Sequence, residues 1–127
     1  MKKGFTLLEL IVVIIIIGIL ATLGFTQYTM VIEKGRTAEA KALLGELRTA
    51  EVAYNMENGT YGAISSIPVG APTACTATHY FSYTAAANQS LATATRCSAS
   101  GKAPNASAYS ITLNYDTGLW NGTAGYY

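Results

Sequence analysis

From Leu10 to Ile32 the chain carries no Asp, Glu, Lys or Arg, and Ile and Val crowd positions 11 to 17. A bilayer-spanning helix needs about 20 apolar residues, and this run supplies them. An ordinary secretory signal peptide fits poorly. Only four residues precede the apolar stretch, the stretch is longer than a usual signal core, and Ala21-Thr22-Leu23 is a weak candidate for a small-residue cleavage site. Lys2 and Lys3 precede the run, which predicts an N-terminus held in the cytoplasm and a C-terminal part sent out. One carboxylate, Glu9, stands at the start of the run. A carboxylate in such a segment costs about 2.5–3.5 kcal/mol at the bilayer centre and less near its edge, so it calls for a functional reason and a partner. A plain membrane anchor accounts for the lysines and the hydrophobicity but not for Glu9.

The residues around that carboxylate, Lys2-Lys3-Gly4-Phe5-Thr6-Leu7-Leu8-Glu9, resemble the leader and mature start of bacterial type IV prepilins, a family related to the pseudopilins of type II secretion. The resemblance covers roughly the first 30 residues. It implies cleavage between Gly4 and Phe5, N-methylation of Phe5, and an assembly role for Glu9 opposite the new terminal amine of a neighbouring subunit. An ammonium buried unpaired among apolar helices is costly, and a carboxylate one register along neutralises it. Many family members carry a proline near the far end of the apolar segment. Here Thr26 stands in that neighbourhood and the first proline is Pro68. Gly18 and Gly24 remain as points where the helix can loosen, each costing up to about 1 kcal/mol relative to alanine.

The helical pattern continues beyond the apolar run. Ala40, Leu43, Leu44, Leu47, Ala50, Val52 and Tyr54 include the spacing of an amphipathic helix, whereas Glu39, Glu46, Arg48 and Glu57 fall largely outside that stripe. Arg48 and Glu51 are spaced for an i, i+3 pair. Asn58-Gly59 is a stop signal. One helix over residues 5–58 would be about 80 Å long. Its amphipathic half needs a partner, and the C-terminal part supplies strand signals: His79–Tyr83, Leu91–Cys97, and Tyr109–Tyr115 with Tyr, Ile, Leu and Tyr on one face. Asp116-Thr117-Gly118 reads as a turn and Leu119-Trp120 as the start of a return strand. Gly59–Thr78 and Ser98–Ser107 read as loops.

The expected architecture is therefore α+β: a long N-terminal helix packed on an antiparallel sheet of three or four strands. The divisions are a leader at 1–4, a transmembrane and polymerisation helix at 5–32, the amphipathic half at 33–58, and a globular head at 59–127. A head of this size is marginal alone and benefits from a staple. Cys75 and Cys97 offer one disulfide, worth about 3 kcal/mol in the chain-entropy model, and an exported context permits it. Two free thiols in a reducing compartment are the alternative.

Eight Lys and Arg face seven Asp and Glu, which leaves no basic footprint for nucleic acid. Eleven of these fifteen charges precede residue 52, so the C-terminal half is a neutral, hydroxyl-rich surface suited to packing against copies of itself. His79 is the only histidine, which excludes a multi-histidine metal site. Asp116 is the only aspartate, too few hard ligands for a calcium loop. No catalytic constellation and no cofactor motif is visible. The nine tyrosines, with Phe5 and Phe25, read as packing and interfacial residues rather than an electron-transfer chain. Asn58, Asn88, Asn105 and Asn121 begin N-glycosylation patterns, which arise readily in so Asn-, Ser- and Thr-rich a chain.

The expected function is structural, not enzymatic: a type IV pilus subunit held in the inner membrane, cut by prepilin peptidase, and drawn by the assembly machinery into an extracellular filament of identical subunits. The alternative is a minor pilin or pseudopilin of a type II secretion or DNA-uptake system.

Overall fold

The computed structural model describes residues 1, 4–98, 102 and 108–127. Lys2, Lys3, most of the loop expected at Ser98–Ser107 and the Asn105 glycosylation pattern lie outside the described residues. The chain divides into two compact units, residues 1–32 and 33–127. Helix α1, Leu7–Asn58, runs through the boundary between them. A one-turn 3-10 helix follows at Ile64–Ser66, then strands β1 Phe81–Ala85, β2 Leu91–Arg96, β3 Ser110–Asn114 and β4 Trp120–Gly122.

In the first unit α1 is apolar on every side. An 18-residue window reaches a mean hydropathy of 2.8 with none of it buried. Its threonine hydroxyls are satisfied locally. The Thr22, Thr26 and Thr29 hydroxyls donate to the carbonyls of Ile19, Leu23 and Thr26 at 2.8, 3.1 and 2.9 Å. Such bonds remove the cost of a free hydroxyl in an apolar medium. The helix is continuous across Gly18 and Gly24.

In the second unit the strands form an antiparallel meander in the order β1-β2-β3-β4. Alternation places Phe81, Tyr83, Ala85, Ala92, Ala94, Ile111 and Leu113 on the inner face, in one core with Ala40, Leu44 and Leu47 of α1. Small residues occupy the central strand: Ala94 lies between Tyr83 and Ile111, and Ala92 between Ala85 and Leu113. Small inner side chains in the middle and large ones at the flanks leave room for the leucines of α1. Tyr109 and Tyr115 close the two ends of β3 and are buried. Cys75 and Cys97 are joined by a disulfide that closes a 22-residue separation and ties the loop before β1 to the end of β2. All four strands start or end within two residues of the expected limits.

The buried stripe of α1 is longer than its hydrophobic residues indicate. It runs Glu33, Thr37, Ala40, Leu44, Leu47, Glu51, with a carboxylate at each end. Glu33 accepts a bidentate pair from Arg96, Nε to Oε2 at 3.0 Å and Nη2 to Oε1 at 2.8 Å. The Tyr109 hydroxyl donates to Oε2 at 3.0 Å and Arg36 Nη1 to Oε1 at 2.7 Å. Burial alone would raise the Glu33 carboxyl, but the hydrogen bonds from Arg96 and Tyr109 and the two guanidinium charges hold it below the usual carboxylate range. Tyr80 sits against the same cluster, its ring centre 4.4 Å from the Arg36 guanidinium carbon and 5.1 Å from that of Arg96.

Glu51 is fully buried without such a partner. The expected Arg48–Glu51 pair is absent. Arg48 Nε donates instead to the Tyr115 carbonyl at 2.9 Å, and Glu51 Oε2 accepts from the Gly62 amide at 2.9 Å. Each side chain meets a different segment, Arg48 the end of β3 and Glu51 the loop that follows the helix. Among the described residues, Glu51 Oε1 and the buried hydroxyls of Tyr83 and Tyr115 have no hydrogen-bond partner. Burial raises the Glu51 carboxyl, and the Gly62 hydrogen bond offsets only part of that rise.

Two outcomes follow. Truncating Arg96 to alanine leaves a buried, under-neutralised carboxylate, and urea denaturation of the detergent-solubilised chain should show a loss of about 3–5 kcal/mol. Glu51 works in the opposite direction to an ion-paired acid. Its folded pKa is raised, so its stabilising contribution is complete below the ordinary value of 4.5 and is lost as pH rises through the folded value. Glu51→Gln keeps an acceptor for Gly62 and removes the charge. Its melting temperature relative to wild type should climb as pH goes from 4 to 8, and a pH-independent difference would contradict this.

Candidate functional site

The N-terminal residues converge on one short segment. Thr6 is the last residue before α1 and its side chain caps the helix. The Glu9 amide donates to Thr6 Oγ1 at 3.2 Å. Glu9 returns the contact: its Oε2 accepts the Thr6 amide and the Thr6 hydroxyl, both at 2.9 Å. This is a capping box, in which Thr and the Glu three residues on satisfy each other's free amides. The carboxylate also faces the positive end of the helix dipole. The helix therefore starts at Leu7 rather than at Phe5, because Thr6 takes the half-in position that precedes it.

Gly4 and Phe5 precede the cap, outside regular structure. Both are exposed, and Phe5 retains 91% of its accessible surface. A peptide bond here is open to a protease and not protected by helical hydrogen bonds. The structure thus brings Gly4, Phe5, Thr6 and Glu9 into one exposed turn at the head of an apolar helix. Gly18 and Gly24 lie within that helix, and a Cβ at either position would meet nothing within 4 Å. Cys75 and Cys97 belong to the head.

Thr6 is the functional residue that the sequence reading missed. Its signal was present, since Thr-x-x-Glu directly ahead of an apolar run is the pattern of a capping box. The family resemblance points Glu9 to a group on another subunit, whereas its local partner is Thr6.

Residues 1–25 match the family described as the prokaryotic N-terminal methylation motif. The fimbrial protein of Moraxella nonliquefaciens is 43% identical over 58 residues, 46% of this chain and 37% of that protein. The type IV major fimbrial protein FimA of Dichelobacter nodosus is 42% identical over 50 residues, 39% of this chain and 32% of that protein. The fimbrial protein EcpC of Eikenella corrodens is 39% identical over 62 residues, 49% of this chain and 40% of that protein. Residues 1–25 thus carry the N-terminal methylation motif, and the chain is similar to fimbrial proteins over part of its length. The aligned part spans less than half the length of each of these relatives. The likeness to these fimbrial proteins extends over 50 to 62 residues, and the family match covers residues 1–25.

At this N-terminus the cap is a separable contact. Thr6→Ala removes the hydroxyl that holds the Glu9 amide and one of the two donors to its carboxylate. Loss of an N-cap threonine costs about 0.5–2 kcal/mol. Hydrogen exchange of the micelle-bound chain should show faster exchange at Glu9 and Leu10, with the amides beyond Gly18 unchanged.

Proposed function

We propose that the chain is a structural subunit of a type IV pilus, with no enzymatic role, that polymerises through the apolar segment of α1. The observation that carries this reading is the uncharged surface from Leu10 to Ile32, exposed on all sides and headed by a methylation motif. A lipid bilayer accommodates that surface before assembly, and neighbouring helices of the same kind cover it afterwards. The relatives named as major fimbrial proteins favour a pilus subunit over a pseudopilin.

In this reading prepilin peptidase cuts between Gly4 and Phe5, and the new Phe5 amine is methylated. Lys2 and Lys3 hold the uncut N-terminus on the cytoplasmic side of the inner membrane. The assembly machinery then withdraws the subunit into an extracellular filament. Glu9 is the assembly residue: its carboxylate pairs with the Phe5 amine of a neighbouring subunit. Such a pair acts on axial register more than on net stability, because desolvation offsets much of its attraction. Gly18 and Gly24 are the points where the helix loosens in the polymer. No side chain in the lone chain requires glycine there.

Two measurements test this. Intact-mass analysis of protein from the cell surface should give a chain that begins at a methylated Phe5, and an intact Met1 would overturn the processing step. Glu9→Val should insert into the membrane as wild type does and yield few filaments; wild-type filament yield would overturn the role given to Glu9.

A further inference from the structure

The dipeptide Asn-Gly occurs twice, at Asn58–Gly59 and Asn121–Gly122. Asn-Gly is chemically labile. The glycine amide nitrogen attacks the asparagine side-chain carbonyl carbon, a C–N bond forms, and ammonia leaves with the amide proton to give a cyclic succinimide. Water then adds to either ring carbonyl and opens it to aspartate or isoaspartate. Glycine favours the attack because it has no Cβ to obstruct it. The rate depends on whether the fold holds the two reacting groups apart or together, since reacting atoms must approach to about 3–3.5 Å.

The two sites differ in this respect. At the end of α1 the Gly59 amide donates to the Asn55 carbonyl at 2.7 Å. The Asn58 carboxamide donates from Nδ2 to the Tyr54 carbonyl at 2.9 Å. Both reactants are tied to the last turn of the helix. On β4 the Gly122 amide lies 2.7 Å from Oδ1 of Asn121, the carbonyl oxygen of the carboxamide that it would attack. Asn121 is exposed on a strand at the edge of the sheet. Glycine is also enforced there. Gly122 has φ +139, and a Cβ would stand 2.3 Å from the Ser110 carbonyl oxygen and 3.0 Å from Ile111 Cα. The fold thus selects the labile dipeptide and brings its reactants together.

We propose that Asn121 is a site of spontaneous covalent modification, converted to isoaspartate and aspartate through a succinimide with Gly122 and water, while Asn58 is protected by the helix end. The product alters an uncharged surface. Asn121 is in register with Thr112, which pairs with Thr93, which pairs with Thr84. Modification adds a carboxylate to this row, and isoaspartate also adds a methylene to the main chain of β4.

The test is peptide mapping by mass spectrometry of the full chain in detergent micelles, incubated in mildly alkaline buffer, with isoaspartyl methyltransferase labelling of the products. The peptide containing Asn121 should convert at least about tenfold faster than that containing Asn58, equivalent to about 1.4 kcal/mol of restraint at the barrier. In urea the two rates should converge, because the difference belongs to the fold. Asn121→Gln should abolish the isoaspartate signal at that peptide. Equal rates in the folded chain, faster conversion of Asn58, or no conversion at Asn121 would each overturn the proposal.

Discussion

The bidentate pair between Glu33 and Arg96 anchors the second unit. Glu33 is the first charge after the apolar run, the position at which α1 changes from apolar on all sides to apolar on one face. Arg96 ends β2, and the next residue carries the disulfide. Tyr109, just ahead of β3, bonds the same carboxylate. Three segments distant in sequence thus meet at one residue of the helix. A buried ion pair adds little net stability over a well-packed apolar group of the same size. It does make wrong alternatives expensive: a helix rotated by one residue, or a sheet shifted along it, would leave a buried charge unpaired. The apolar contacts of Ala40, Leu44 and Leu47 are non-directional, whereas the ion pair is satisfied in one register.

The carboxylates also mark where the sequence was readable and where it was not. The sheet was legible because Tyr109, Ile111, Leu113 and Tyr115 alternate strictly and the turn residues between strands are chemically distinctive. The core stripe at Ala40, Leu44 and Leu47 followed from helical periodicity. Glu33 and Glu51 continue that stripe by the same geometry. A hydrophobicity pattern carries no signal that a carboxylate is buried: it offers Glu51 only Arg48 as an i, i+3 partner and gives Glu33 no role. What buries them is long-range: Arg96 is 63 residues from Glu33, and Gly62 reaches Glu51 across the turn that leaves the helix. No local signal encodes either partner. Thr6 is a different case, since its capping pattern is local and was overshadowed by the stronger meaning given to Glu9.

The Thr6–Glu9 cap changes the energetics of that glutamate. A carboxylate at the edge of an apolar run is not an orphan when a hydroxyl, a backbone amide and the helix dipole already solvate it. Under the proposed assembly role, an incoming ammonium has to add to these contacts or displace them. The Thr6 amide and hydroxyl share one oxygen of the carboxylate, Oε2. Oε1 remains for a second partner, so the cap and an intersubunit ion pair are compatible. In that arrangement the cap holds the carboxylate in one rotamer before assembly, which lowers the ordering cost of the later contact.

Under the proposed assembly through a helix, the sheet must be kept from associating, because an open edge strand is a template for pairing with another copy. Both edges are blunted. On β1 the Tyr83 amide, which faces away from β2, donates to the Pro72 carbonyl at 2.8 Å, so the preceding loop occupies that edge. On the opposite side β4 is only three residues long and ends at Gly122, whose φ of +139 turns the chain out of strand geometry. The disulfide helps keep the loop near β1, because Cys75 follows Pro72 by three residues and is bonded to the end of β2. The staple that compensates for a small core therefore also protects an edge. In the proposed assembly, association is left to the apolar segment of α1, the large apolar surface left uncovered among the described residues.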